Sequence, residues 1–94
     1  MKKLKQTIEV KGIDEPMNST QVKRKGNICM YLRDDGAYEV FIVKIQKAKV
    51  IKDVVFEQRE VYPKNEDFGI TAWCFWKNEV RANMKFQELV EQKS

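Results

Sequence analysis

The sequence predicts an α+β fold, in which an antiparallel sheet of four to five strands carries one C-terminal helix packed on one face. Through most of residues 4–76, apolar and polar residues alternate with a period of two, which is typical of strands. Asp35-Gly36 stands between two such stretches and is the strongest short-range signal of a β-hairpin. Residues 80–92 instead repeat apolar side chains at helical spacing.

The chain has 94 residues, which is the size of one domain, so we expect a single domain over 1–94. Its hydrophobic share of 43% and charged share of 34% are those of a folded, water-soluble chain. No apolar run approaches the roughly 20 residues of a membrane helix, and no membrane partner is expected.

The N-terminal part predicts two strands and a hairpin turn. Alternation places the first strand around 4–11, ended by Gly12 and followed by a loop that contains Pro16 and Asn18. Residues 20–25 are polar, and either extend the next strand or stay loose. A second strand is expected over 27–33, before the turn.

The middle of the chain predicts a central strand and a ribbon. Residues 38–45 are apolar on both faces, which is typical of a strand covered on both sides. Residues 46–52 keep alternate apolar residues but become rich in lysine, so we expect a protruding ribbon that turns near Lys52-Asp53. The chain returns as a strand over 54–62, and the stretch 62–69 is a loop because Pro63 cannot donate to a ladder.

The last strand is expected over 70–76, with Trp73 and Phe75 in the core beneath the helix. Trp76 then points to the other face, where it forms an exposed apolar strip with Ile70, Ala72 and Cys74. Asn78 is a good N-cap for a helix over 80–92. Its predicted apolar face is Ala82, Phe86, Leu89 and Val90, widened by Val80 and Met84.

The residue types that are missing exclude several classes of enzyme. The chain has no histidine, so histidine-based catalysis and histidine-ligated zinc are excluded. Cys29 and Cys74 are too few for a thiolate zinc site, and no secretory signal precedes them. We therefore expect both thiols to be reduced in a cytoplasm, with Cys74 the more buried. We predict no catalytic, cofactor-binding or metal-binding residue, and no enzyme.

The net charge of +4 lies entirely in residues 1–25, while residues 26–94 are balanced. Basic clusters bind anionic partners such as nucleic acids, although they also simply keep a surface solvated. The candidate phosphate-contacting residues are Lys23, Arg24 and Lys25 together with Lys44, Lys47, Lys49 and Lys52. Trp76 is the candidate anchor for a protein partner, because exposed tryptophans dominate binding at protein interfaces.

The C-terminal third carries a resemblance. Its segments Tyr62-Pro63, Glu66-Asp67-Phe68-Gly69 and Ala72-Trp73-Cys74-Phe75, followed by Ala82 and Phe86, resemble small proteins carried by bacteriophages and mobile elements. The resemblance implies a bacterial host cytoplasm and an accessory role. It brings no activity and no catalytic residues to carry over.

The leading expectation is a non-enzymatic binding module, an accessory protein of a phage or mobile element, that binds a host macromolecule such as a defence or regulatory protein. Inhibition of that macromolecule is one outcome that this binding allows. One alternative is a nucleic-acid-binding protein that uses the lysines and Arg24 named above. Another is a homodimeric structural or assembly protein, since an unpaired edge strand can pair with a second copy.

Overall fold

The computed structural model describes residues 3–10 and 15–93. In these residues a five-stranded antiparallel sheet carries one helix packed on one face, which confirms the α+β prediction. The elements are β1 Thr7–Val10, β2 Met17–Lys25, β3 Ile28–Arg33, β4 Ala37–Ile42, β9 Ala72–Trp76 and α1 Glu79–Lys93. Across the sheet the strands have the order β1-β2-β3-β4-β9. None of the helices described there has the length and apolarity that a membrane crossing requires.

The chain between β4 and β9 forms a two-stranded ribbon, residues 44–61, which we call the arm. Its strands are β5 Lys44–Gln46, β6 Lys49–Ile51, β7 Val54–Phe56 and β8 Arg59–Val61. β5 pairs with β8 and β6 with β7 in one continuous register, interrupted only at 47–48 and 57–58. Lys52 and Asp53 have φ angles of 49° and 67°, which close the two-residue turn of a hairpin. The predicted ribbon and its turn are confirmed.

The second strand differs from the prediction. β2 begins at Met17, where a loop was expected, and runs through the polar residues 20–25 to a turn at Gly26-Asn27. It is held on both sides, by β1 and by β3, with a register shift between Gln21 and Lys23. Tertiary pairing therefore overrides its weak local pattern. The predicted strand end at Gly12 lies outside the described residues.

The hairpin after β3 follows the prediction. Gly36 has a φ of +93°, which L-residues rarely adopt, and its N–H donates to the Arg33 carbonyl at 3.0 Å. The two preceding acids serve the turn, since Asp34 Oδ2 accepts the Asn18 N–H and Asp35 pairs with Arg33. The Asp-Gly signal therefore sets the β3–β4 register.

Both faces of the sheet are covered. Ile28, Met30 and Val40 pack beneath the helix, with Trp73 and Phe75 half-buried beside them as predicted. The opposite face buries a second cluster, Cys29, Tyr31, Phe41, Val43 and Ala72, against Tyr62, Phe68, Leu4 and Ile8. The expected exposed strip around Trp76 is therefore wrong at Ala72, because the 62–68 segment folds back over that position.

The helix begins as predicted. The side chain of Asn78 accepts the Arg81 N–H at 3.1 Å, and Ala82, Phe86 and Leu89 are buried. The expectation that Val80 and Met84 widen the apolar face is wrong, since both are exposed. At 100° per residue they point well away from Phe86, and one helix on a flat sheet buries only a narrow stripe.

The two cysteines are free, but their predicted order of burial is wrong. Cys29 is fully buried and Cys74 is exposed. The reason is position in the sheet, because β3 has a strand on each side whereas β9 is an edge strand. Burial raises the pKa of Cys29 to about 11.

Candidate interaction surface

The buried polar groups of the sheet hold the fold together. The Tyr62 hydroxyl donates to the Glu39 carboxylate and lies 3.1 Å from Ser19 Oγ, while Arg33 lies 3.9 Å from Glu39. Burial raises the pKa of both Glu39 and Tyr62. Every buried side-chain nitrogen and oxygen in the described residues has a hydrogen-bond partner. This network therefore fixes Tyr62, the residue that follows the arm, to the sheet.

A second polar contact anchors the base of the arm. The guanidinium of Arg24 donates to both carboxylate oxygens of Glu60 at 2.7 Å, and the Leu4 N–H donates to the same carboxylate at 3.1 Å. These bonds lower the pKa of Glu60 to about 2, with the guanidinium as the main cause. The arm is thus joined to β2 and to the N-terminal segment through one buried carboxylate.

The tip of the arm, residues 49–56, exposes an apolar surface. Five of its six strand residues are large, apolar and exposed: Val50, Ile51, Val54, Val55 and Phe56. Val50 and Val55 are directly opposite each other on one face, and are 66% and 69% exposed. Ile51 and Val54 form the next pair, on the other face. Each face of the tip therefore carries uncovered apolar side chains.

A cleft of about 790 Å³ opens between the base of the arm and the N-terminal segment. Its apolar lining comes from Leu4, Ile8, Ile45, Val61 and Tyr62. The rim is mainly basic, because the cleft is lined by five cations, Lys3, Lys5, Lys44, Arg59 and Lys64, against three acids, Glu60, Glu66 and Asp67. Two of its acids, Glu60 and Asp67, are neutralised by Arg24 and Lys44. The cleft is therefore suited to anionic groups.

The structure divides the predicted basic run at 23–25 between the two faces of the sheet. Lys23 lies on the helix side, with its ammonium bonded to Asn83 and 4.6 Å from the centre of the Phe86 ring. Arg24 lies on the opposite face, where Glu60 binds it. Lys25 is exposed at the end of β2. These three residues do not form one basic patch.

The remaining candidate binding residues lie on the arm or, at a separate place, on β9. Lys44 pairs with Asp67 at the cleft, while Lys47, Lys49 and Lys52 are exposed on the arm. Trp76 is 58% exposed, with the Lys77 ammonium 5.6 Å from the centre of its ring. Trp76 is opposite Ala37 at the start of β4, and the arm begins beyond the other end of that strand. Trp76 and the arm are therefore separate surfaces.

Sequence reasoning missed the apolar tip, although the signal was present. Val54-Val55-Phe56 is apolar on both strand faces, and a ribbon that leaves the sheet has nothing to cover either face. The basic cleft had no comparable signal. Lys3 and Lys64 are far apart in the chain and become neighbours of the cleft only through tertiary packing.

A scan against protein-family models, a search of curated proteins and a search of solved structures each find no match to this chain. The functional argument therefore depends on the chemistry of the surface.

Proposed function

We propose that this protein is a small non-enzymatic module that binds another protein through the tip of its arm. The single observation that carries the proposal is the uncovered apolar surface formed by Val50, Ile51, Val54, Val55 and Phe56. Apolar side chains grouped in this way on a protruding element mark an interaction surface. An isolated two-stranded ribbon is also only marginally stable in water, so a partner that covers the tip would order it further.

The chemistry of the tip indicates the kind of partner. Covering five side chains that are each about half exposed gains roughly 1 kcal/mol apiece, or about 5 kcal/mol before the cost of association. Micromolar binding needs about 8 kcal/mol in total, so polar contacts must add to the apolar ones. Lys47, Lys49 and Lys52 flank the apolar residues and outnumber the two exposed acids beside them, Asp53 and Glu57, so the lysines supply such contacts. The partner that fits has an apolar groove with an acidic rim.

The resemblance of the C-terminal third to phage and mobile-element proteins supports a biological setting for this binding. In this proposal the protein acts in a bacterial cytoplasm, and its partner is a host protein that it inhibits, such as a defence or regulatory protein. The arm suits this role because it projects from the sheet and can enter a groove on a larger protein.

A nucleic-acid partner is the second candidate, and the basic cleft is the observation that favours it. Lys3, Lys5, Arg59 and Lys64 line one opening and lie near the base of the lysine-bearing arm. Phosphate contacts would make binding fall steeply with salt, in proportion to the number of phosphates neutralised. Apolar contacts at the tip would respond weakly to salt.

The test compares capture of host-lysate proteins by the native protein and by a Val50→Ser, Val55→Ser double variant. Both substitutions replace exposed side chains, so the fold should be retained and circular dichroism should be unchanged. We expect capture to fall at least about tenfold in the double variant. Capture by the native protein should survive nuclease and should weaken only moderately at raised salt, because salt screens the lysine contacts and leaves the apolar contacts in place. Val80→Ser is the matched control, because Val80 is an equally exposed valine on the helix.

A parallel measurement uses defined DNA and RNA oligonucleotides and follows fluorescence anisotropy across a salt series. Weak binding of the oligonucleotides that Lys64→Gln leaves unchanged agrees with the protein-binding proposal. Binding that is tight, steeply salt-dependent and lost in a Lys5→Gln, Lys64→Gln variant supports the nucleic-acid candidate instead. Capture that is equal in the native protein and the tip variant contradicts the leading proposal.

A further inference from the structure

The strand β9 leaves one edge of the sheet open. The Ile42 N–H donates to the Thr71 carbonyl at 2.9 Å, and the Lys77 N–H donates to the Gly36 carbonyl at 3.0 Å. Antiparallel pairing alternates, so the backbone groups of Cys74 and Trp76 point away from β4. Within the described residues, β9 has no strand on that side. In that part of the chain the edge is closed at Ala72, whose carbonyl accepts the Gly69 N–H.

A shallow groove of about 310 Å³ follows the same edge, between β9 and the helix. Trp73 and Phe75 line it from the strand, and Arg81, Met84, Lys85 and Glu88 line it from the helix. The Lys85 ammonium is 4.1 Å from the centre of the Trp73 ring and 3.5 Å from the Glu88 carboxylate. Strand edge and helix stripe therefore present one continuous surface, with Met84 as its exposed apolar centre.

We propose that this surface binds a second copy of the chain, and that the two β9 strands pair antiparallel about a two-fold axis near Phe75. In this arrangement Cys74 is opposite Trp76 of the second copy and, by symmetry, Trp76 is opposite Cys74 of the second copy. Each pair exchanges two backbone hydrogen bonds, which are the bonds that the open edge leaves unmade. The two sheets become one ten-stranded sheet.

The charges of the helix favour a second copy over an unrelated protein. A two-fold axis through this edge places the two α1 helices antiparallel and side by side. Arg81 and Glu88 are two helical turns apart, on either side of a midpoint between Met84 and Lys85. Because Phe75 lines the same groove as these helix residues, an axis near Phe75 passes beside that midpoint and brings Arg81 of each copy toward Glu88 of the other. This surface is self-complementary, and it leaves the arm free for a different partner.

The experiment measures the dimer dissociation constant by sedimentation equilibrium over a concentration series. We expect the native protein to form a dimer, and Arg81→Glu or Glu88→Arg to raise the dissociation constant at least about tenfold. The Arg81→Glu, Glu88→Arg double variant restores the opposite-charge contacts, and should return to within about threefold of the native value. If the double variant restores dimerisation, the single substitutions acted on a contact between the two copies and not on the stability of the helix.

Chemical cross-linking gives a second readout. Cys74 is the accessible thiol and Cys29 is fully buried, so a short bis-maleimide reports only on the β9 edge. The native protein should yield a covalent dimer, and Cys74→Ser should yield none. The Val50→Ser, Val55→Ser variant should dimerise normally. A protein that is monomeric at all concentrations overturns the proposal, as does a dimer that is lost in the tip variant or unchanged by both charge reversals.

Discussion

Replacing Glu60 by glutamine should cost roughly 3 kcal/mol of unfolding free energy at neutral pH. The substitution keeps the shape of the side chain and an oxygen for the Leu4 N–H, but it removes the charge that faces Arg24. The Glu60 side chain is 5% exposed and that of Arg24 is 19% exposed, so the guanidinium left behind is poorly solvated. A domain of this size has a stability of roughly 5–14 kcal/mol, so the loss is large.

Two independent arguments give this magnitude. Breaking one side of a buried ion pair typically costs about 3–5 kcal/mol, and the partial exposure of Arg24 favours the lower end. The pKa of Glu60 falls from 4.5 to about 2 in the fold. A carboxyl group whose pKa is lowered by this amount stabilises the folded state by roughly 3 kcal/mol, at about 1.4 kcal/mol for each unit of pKa.

The assay is urea unfolding of the native protein and of Glu60→Gln between neutral and acid pH. Because folding lowers the pKa of Glu60, its contribution is complete above about pH 4.5 and is lost as the pH falls toward 2. The difference in unfolding free energy between the native protein and Glu60→Gln should shrink over that same pH interval. Glu57→Gln is the control, since Glu57 is exposed on the same arm and should change stability by less than about 0.5 kcal/mol.

Two results would refute the reasoning. A Glu60→Gln cost below about 1 kcal/mol would show that the pair is solvated and weak. A cost that stays constant down to pH 2 would show that the carboxylate charge is not what stabilises the arm. A double variant with Arg24→Gln tests the pair directly, because removing both charges should cost less than the sum of the single changes if the two side chains stabilise each other.

Two further predictions concern the hairpin and the thiols. Gly36→Ala should destabilise the fold by about 1–3 kcal/mol in urea unfolding, because φ is +93° and a Cβ would lie 3.1 Å from Lys77 Cγ; an unchanged midpoint would show that the turn is built differently. Under native conditions a maleimide should modify Cys74 alone, and Cys29 should react only after unfolding, as read by mass spectrometry. Equal modification of both thiols in the folded protein would contradict the placement of Cys29.

The elements that sequence predicted correctly are those determined by local chemistry. Asp35-Gly36 specifies its turn because glycine alone tolerates the required φ, and Asn78 specifies the start of the helix because its side chain caps it. Lys52-Asp53 was predicted as a turn from the change of pattern on either side of it. Each of these signals lies within a few residues of the feature that it determines.

The elements that sequence misplaced depend on contacts between distant segments. The polar stretch at 20–25 becomes a strand because β1 and β3 pair with it from both sides. Cys29 and Cys74 have similar alternating neighbours, and only the strand order makes one central and the other an edge residue. The run at 23–25 looked like one basic cluster, yet alternation along a strand sends Arg24 to one face and Lys23 to the other.

The base of the arm is anchored to the sheet, whereas the apolar side chains of its tip stay exposed. Lys47, Lys49 and Lys52 suit both proposed partners, because they keep an exposed apolar ribbon from aggregating and also attract anionic groups. Removing a lysine therefore changes solubility and binding together, and cannot by itself assign the partner. Variants that change apolarity without charge, such as Val50→Ser, and charge without apolarity, such as Lys49→Gln, separate the two effects. Only the first should abolish binding to a protein groove, whereas only the second should reduce the salt dependence of binding to phosphate.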